Sequence, residues 1–165
     1  MDHPNNSFLD ALDAPNRKRL PPLLRQAWYG LNQAFRRRIA HTQVTPDQFT
    51  ALRTLLEKEE GGLTQRQLTN IMSSDPNTVG ALLERMEAAG WIERVPDVSD
   101  RRALRISLLP PGKKKFLEVR KIAIQLQAEV LNALPVHKRE EFLEHLTLLA
   151  AACTLAAENS KGAPK

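Results

Sequence analysis

The sequence predicts a mainly α (α+β) fold in which two short helices and a two-stranded ribbon sit between long helices at both ends. Three observations carry that prediction. Apolar residues recur at steps of three and four through both flanks of the chain. Between the flanks, residues 64–90 read as two short helices joined by the polar turn Ser73-Ser74-Asp75. Residues 91–95 and 104–108 then read as strands, the second with Leu104, Ile106 and Leu108 on one side and Arg105 and Ser107 on the other. A helix-turn-helix followed by an arginine-tipped ribbon is a shape that fits both grooves of a DNA duplex.

Composition narrows the class further. The 165 residues suffice for one domain with a real core, and the 42% hydrophobic and 26% charged shares are those of a globular chain. No apolar run approaches the roughly 18 residues of a membrane span. Residues 1–20 lack the charged-then-apolar order of a signal peptide, so a cytoplasmic location is expected. A formal net charge of +5 favours polyanionic partners, because Lys and Arg displace counterions from phosphate backbones. The single cysteine, Cys153, excludes an internal disulfide and any multi-cysteine zinc site. His3, His41, His137 and His145 show no paired-ligand spacing, so neither metal nor cofactor is expected. There is no phosphate-cradling glycine loop, nucleophile elbow or clustered acid–base pair, so no catalytic residues are assigned and an enzyme is not expected.

Each element has its own local signal. Residues 1–19 are polar and carry Pro4 and Pro15, which predicts a flexible arm. Leu20, Leu24, Ala27, Leu31, Ala34 and Phe35 form a helical stripe over residues 20–40, with Pro21 and Pro22 tolerated in its first turn. Arg36, Arg37 and Arg38 give its last turn a positive end, either as a solvated helix terminus or as a phosphate contact. Thr45-Pro46-Asp47-Gln48 is a capping box opening a helix with Phe49, Leu52, Leu55 and Leu56 inward, and Gly61-Gly62 stops it. A second capping box, Thr64 with Gln67, opens a short helix with Leu68, Ile71 and Met72 inward. Asp75-Pro76 begins a third that runs to Gly90. Pro110-Pro111-Gly112 reads as a break, with a long helix from Lys113 that repeats Phe116, Val119, Ala123, Leu126, Val130 and Ala133, or Pro110-Pro111 themselves take the helix-starting role. Pro135 interrupts it, and Phe142, Leu146, Leu149, Cys153 and Ala156 continue the habit, with Leu143, Leu148 and Leu155 widening the apolar surface.

Helices this long, apolar on two faces, need more burial than one small lobe supplies, which predicts a homodimer through the chain ends; the alternative is that they only cover their own core. The expected organisation is one domain over residues 20–160, comprising a DNA-binding lobe (45–112) and dimerisation helices (20–40 and 113–158), with a flexible tail at 159–165.

On the helix from Asp75, the residues Val79, Leu82, Leu83 and Met86 share one face and must pack inward. The opposite face holds Asn77, Ala81, Glu84 and Ala88, flanked by Thr78, Gly80 and Arg85. Small side chains allow close approach to base edges, Asn can bond adenine in bidentate fashion, and Thr78 suits a phosphate oxygen or a thymine methyl. Ordinary first-turn helix chemistry would also account for Asn77 and Thr78. Eight residues, 96–103, connect the strands, too many for a tight turn. Arg101 and Arg102 at the tip suit a narrow minor groove, while Asp100 can pair one of them and structure the wing. Spacing does not say which arginine is left for DNA.

Thr64-Gln65 with Leu68, then residues 87–90 leading into Trp91-Ile92, then Asp100-Arg101-Arg102 and a Leu-rich strand ending at Gly112, resemble the MarR family of winged helix-turn-helix transcriptional regulators. The resemblance covers residues 45–115; the flanking helices match in length and pattern. It implies a dimer joined through terminal helices, a helix-turn-helix in the major groove and a wing arginine in the minor groove. It also implies release from DNA by a small aromatic or anionic effector. The residues expected at DNA are Thr64, Gln65, Asn77, Thr78, Ala81, Arg85, Arg101 and Arg102. Gly80 and Ala81 stand where many members carry a hydroxyl and then a basic residue, so the operator sequence does not carry over. The N-terminal cysteine with which some members sense peroxide is missing, and Cys153 reads as buried packing.

The expected function is therefore a homodimeric regulator binding a roughly palindromic DNA operator, a repressor released by its effector. A winged-helix protein-interaction adaptor is the alternative, and steep salt dependence would separate the two. Trp28, Tyr29, Phe35 and Phe49 are candidates to line an effector pocket, or are simply core.

Overall fold

The computed structural model describes residues 17–58, 61–97 and 103–160. The expected arm and tail, and the wing-tip residues Asp100, Arg101 and Arg102, lie outside them, apart from residues 17–19 and 159–160. In chain order the elements are α1 (Leu20–Ile39), a 3-10 turn (Ala40–Thr42), α2 (Pro46–Glu57), β1 (Leu63–Thr64), α3 (Gln65–Ile71), α4 (Pro76–Ala88), β2 (Ile92–Pro96), β3 (Leu104–Leu108) and α5 (Pro110–Leu131). A second 3-10 turn (Val136–Lys138) and α6 (Arg139–Ser160) complete the order. This is the mainly helical winged fold the sequence predicts, with long helices at both ends. The chain divides into two compact units, residues 1–123 and 124–165.

In the first unit, α2, α3 and α4 pack around a core that includes Leu52, Leu55, Leu68, Val79, Leu83, Met86, Ile92 and Ile106. All are 2% exposed or less, so the inward stripes read from the sequence are the buried ones. Leu56 and Met72 are partly buried against this core, and Ile71 is exposed. It ends α3 just before Ser73, which turns the chain at φ 49°, and it stands 52% exposed. The aromatic side of the core is a chain of rings: Phe35 meets Phe49 edge-on at 5.3 Å, and Phe49 stacks on Phe116 at 5.4 Å.

Both capping boxes form. The Thr45 hydroxyl accepts from the Gln48 amide at 3.2 Å, and the Gln48 side chain accepts from the Thr45 amide at 2.9 Å. Thr64 and Gln67 repeat this at the start of α3. Replacing Thr45 by Ala is expected to lower stability by about 1 kcal/mol. A urea midpoint unchanged by the substitution would contradict this.

The sheet has three strands in the order β1-β3-β2, all antiparallel. Strand β1 was not legible in the sequence: two residues long, it is held by pairing Leu63 with Ile106 and Thr64 with Arg105. The turn before it needs Gly62, which has φ +66° and where a Cβ would lie 2.5 Å from the Ile106 carbonyl oxygen.

Both ends of the long helix after the ribbon differ from expectation. Helix α5 starts at Pro110 rather than Lys113, so Pro110-Pro111 take the helix-starting role that their sequence also allows, because proline lacks an amide hydrogen that the first turn would leave unbonded anyway. Gly112 therefore lies inside the helix, and its function is close approach rather than a break. Helix α5 ends at Leu131, which leaves Ala133 outside it, and α6 restarts at Arg139 beyond Pro135.

Helix α6 contains no buried residue, and Phe142, Leu148 and Leu155 are exposed on it. Cys153 is exposed as well, contrary to its reading as buried packing. Leu143 and Leu149 of the same apolar surface are half-buried. In the first unit, helix α1 likewise exposes Leu20, Leu23, Trp28 and Leu31. Among the described residues no helix is long and apolar enough to cross a membrane.

Candidate nucleic-acid interface

Helix α4 starts where Asp75 caps it: the Thr78 amide donates to Asp75 Oδ1 at 2.9 Å. Bonds from the Thr78 side chain and amide hold the Asp75 carboxyl below the usual carboxylate range. A depressed value means that this cap is complete above the ordinary carboxylate range and is lost as pH falls through the lowered value. With Val79, Leu82, Leu83 and Met86 buried, the helix presents Asn77, Thr78, Ala81, Glu84 and Arg85 on its exposed side. The four expected contacts on this helix are thus brought together on one accessible face.

Thr64 and Gln65 lie at the start of α3 and are half-buried. The Thr64 hydroxyl is engaged in its capping box. Gln65 Nε2 donates to the Pro76 carbonyl oxygen at 3.2 Å, bridging the first turns of α3 and α4. A Cβ at Gly80 would lie 3.3 Å from that nitrogen. The small residue at position 80 therefore has a packing reason: it leaves room for the Gln65 amide between the two helices.

Two arginines hold the ribbon, one on each face. On one face Arg105 pairs with Asp97, Nε donating to Oδ2 at 2.7 Å. Its Nη1 also donates to the carbonyl oxygens of Gly61 and, at 3.2 Å, Gly62. Asp97 is 3% exposed, so its charge is compensated by a guanidinium rather than by water. On the other face Arg94 Nε donates to Glu87 Oε2 of α4 at 2.8 Å, and Nη2 bonds the same oxygen. The Arg94 guanidinium holds the Glu87 carboxyl below the usual carboxylate range.

Sequence reasoning missed both clamps. Wing structuring was expected of Asp100, which lies outside the described residues, and Asp97 also pairs with an arginine of the ribbon. The available signal was Arg105 itself, a charge on the polar side of a strand with an acid diagonally across the ribbon.

A cleft of about 440 Å³ opens in the first unit, lined by residues that include Arg36, Val44, Asp47, Met72, Thr78 and Arg85. None of the four aromatic candidates lines it. Phe35 and Phe49 belong to the stacked core, and Trp28 and Tyr29 stand 57% and 67% exposed on α1. Among the described residues no group of His, Cys, Asp and Glu is placed to hold a metal ion.

Comparison with known proteins agrees with this geometry. The MarR family model matches residues 44–104, which span α2 to the start of β3. The transcriptional repressor MdtR of Bacillus subtilis is 33% identical over 122 residues, covering 72% of this chain and 76% of that protein. YsmB, an uncharacterised HTH-type regulator of the same organism, is 40% identical over 76 residues, 46% of this chain and 51% of its own. The chain thus spans about half the length of that relative. Among solved structures, Staphylococcus aureus MepR in a DNA complex superposes with a TM-score of 0.74 at 22% identity, covering 82% of this chain and 99% of that one. That likeness is one of fold. With the capped helix α4, the three-stranded sheet and the long terminal helices described, this chain belongs to the MarR family of transcriptional regulators, a family without enzymatic function.

Proposed function

We propose that this chain is a homodimeric, sequence-specific DNA-binding repressor of the cytoplasm, released from its operator by a small aromatic or anionic compound. One observation carries the reading: the exposed face of Asn77, Thr78, Ala81 and Arg85 stands beside a ribbon clamped on both faces by arginines. Helix α4 is the element for the major groove, and Arg101 or Arg102 the side chain for the minor groove. Dimerisation accounts for the apolar residues that α1 and α6 expose, each within its own unit. An effector would enter the cleft of the first unit. There Arg36 and Arg85 offer charge to an anion, and Arg85 is shared with the DNA-facing helix.

Binding of the protein to operator-bearing duplexes, followed by fluorescence anisotropy across a salt series, tests the reading. Affinity is expected to fall steeply with salt, with a logarithmic slope of about −0.9 per phosphate neutralised. Arg102→Ala should weaken binding to all sequences, and Asn77→Ala should change which sequence is preferred. A salt-insensitive complex, or no complex on any duplex, would support the protein-interaction adaptor instead.

A further inference from the structure

We infer that Glu87 and Arg94 form a latch that sets the position of the wing relative to the recognition helix, and that Arg94 serves DNA recognition through this latch rather than by touching a phosphate. The inference rests on the DNA-binding reading above, and it adds to that reading two positioning residues outside the expected contact set.

The register of the ribbon sets which side Arg94 occupies. Arg94 pairs with Ile106 across β2 and β3, so it occupies the same side of the sheet as Ile92 and Ile106, the side that faces the core. Ile92 and Ile106 are 1% and 0% exposed, and a charge in line with them needs a partner. Glu87 of α4 is that partner, bonded through both Nε and Nη2 of one guanidinium. The Arg94 side chain is only 21% exposed, with its donors turned toward the helix.

Further out on the same face stand Pro96 and Leu104. Both are exposed, and apolar packing no longer holds the ribbon there. The latch therefore lies where the core ends and the wing projects from it. The Arg105 clamp ties the opposite face to the Gly61-Gly62 turn, not to α4. Of the two clamps, the Glu87–Arg94 pair alone joins the wing directly to the recognition helix.

The chemistry also explains why the charge is arginine. A planar guanidinium can place two donors on one carboxylate and so restrain direction as well as distance, which a lysine ammonium does not. Arg94 additionally offsets Glu84, an exposed carboxylate on the outward face of α4 that acts on it electrostatically. A duplex holds its two grooves at a set spacing. A reader with one element in each must hold those elements at a matching spacing before contact, or the ordering is left to the binding step.

The test uses the full-length protein and the variants Arg94→Glu, Glu87→Arg and the exchanged pair Glu87→Arg/Arg94→Glu, which keeps the wild-type charge count. Two readouts are taken. In the free protein, hydrogen exchange at the ribbon amides of β2 and β3 should speed up about tenfold in Arg94→Glu and return toward wild type in the exchanged pair. On operator DNA, Arg94→Glu should lose about tenfold in affinity. Hydroxyl-radical protection of the minor groove should fade while guanine N7 protection in the major groove persists. The exchanged pair should recover both affinity and protection. An exchanged pair as weak on DNA as Arg94→Glu alone, with ribbon exchange restored, would overturn the inference by making Arg94 itself a DNA contact. Ribbon exchange unchanged in Arg94→Glu would overturn it by showing that the pair restrains nothing. Failure of the wild-type protein to bind any duplex would instead defeat the DNA-binding reading, and the exchange data would still decide whether the latch exists.

Discussion

Replacing Gly112 by alanine is expected to lower the stability of the protein by about 3 kcal/mol, seen as a fall in melting temperature of roughly 10 °C. Gly112 sits in the first turn of α5, directly over the end of the α4–β2 connection. A Cβ there would overlap the Trp91 carbonyl oxygen and lie 2.8 Å from Leu108 Cδ1. The carbonyl cannot swing aside freely, because it accepts the Leu109 amide at 2.9 Å. Relief requires α5 to lift off the sheet, and Phe116 and Val119, one and two turns further on, are 5% and 0% exposed in the core. Alanine is the better helix former, so propensity alone predicts a small gain; the sign of the measured change decides which effect wins. An unchanged or raised melting temperature would contradict the close approach.

Replacing Ala81 by glutamate is expected to abolish DNA binding, a loss of at least about a hundredfold, while leaving the melting temperature where it was. Ala81 is exposed at mid-face of α4, between Asn77 and Arg85, and contributes nothing to the core. Glutamate suits a helix nearly as well as alanine does, so folding is not at issue. The new carboxylate would stand against the phosphates and base edges that the face is proposed to meet, where like charges repel and a longer side chain holds the helix off. Anisotropy titration on the same duplex, paired with a thermal melt, checks both halves. Undiminished affinity would remove α4 from the interface.

How much of this was legible in the sequence follows from how local the physics is. Thr45 with Gln48 and Thr64 with Gln67 are three residues apart, and their hydrogen bonds are nearly complete before any tertiary contact is made. Val79, Leu82, Leu83 and Met86 announce a buried face by period alone, and all four are buried. What escaped reading depends on distant parts of the chain. Strand β1 exists only because β3 arrives beside it, and Arg105 reaches carbonyls more than forty residues earlier in sequence.

Gly112 was misread for a related reason. A glycine after two prolines looks the same in sequence whether it breaks a helix or lets one approach a carbonyl. Gly80 was read as a missing contact, yet it accommodates the Gln65 amide. The aromatic candidates for an effector pocket divided along the same line. Phe35 and Phe49 find partners in the core, while Trp28 and Tyr29 remain exposed on α1.

Selection of bound DNA from a random duplex library, with hydroxyl-radical footprinting of the enriched sequences, tests the central claim most directly. The account predicts an inverted repeat with half-site centres about 10 base pairs apart and minor-groove protection flanking each half-site. Recovery of unrelated sequences without symmetry, bound no more tightly than random duplex at physiological salt, would contradict it.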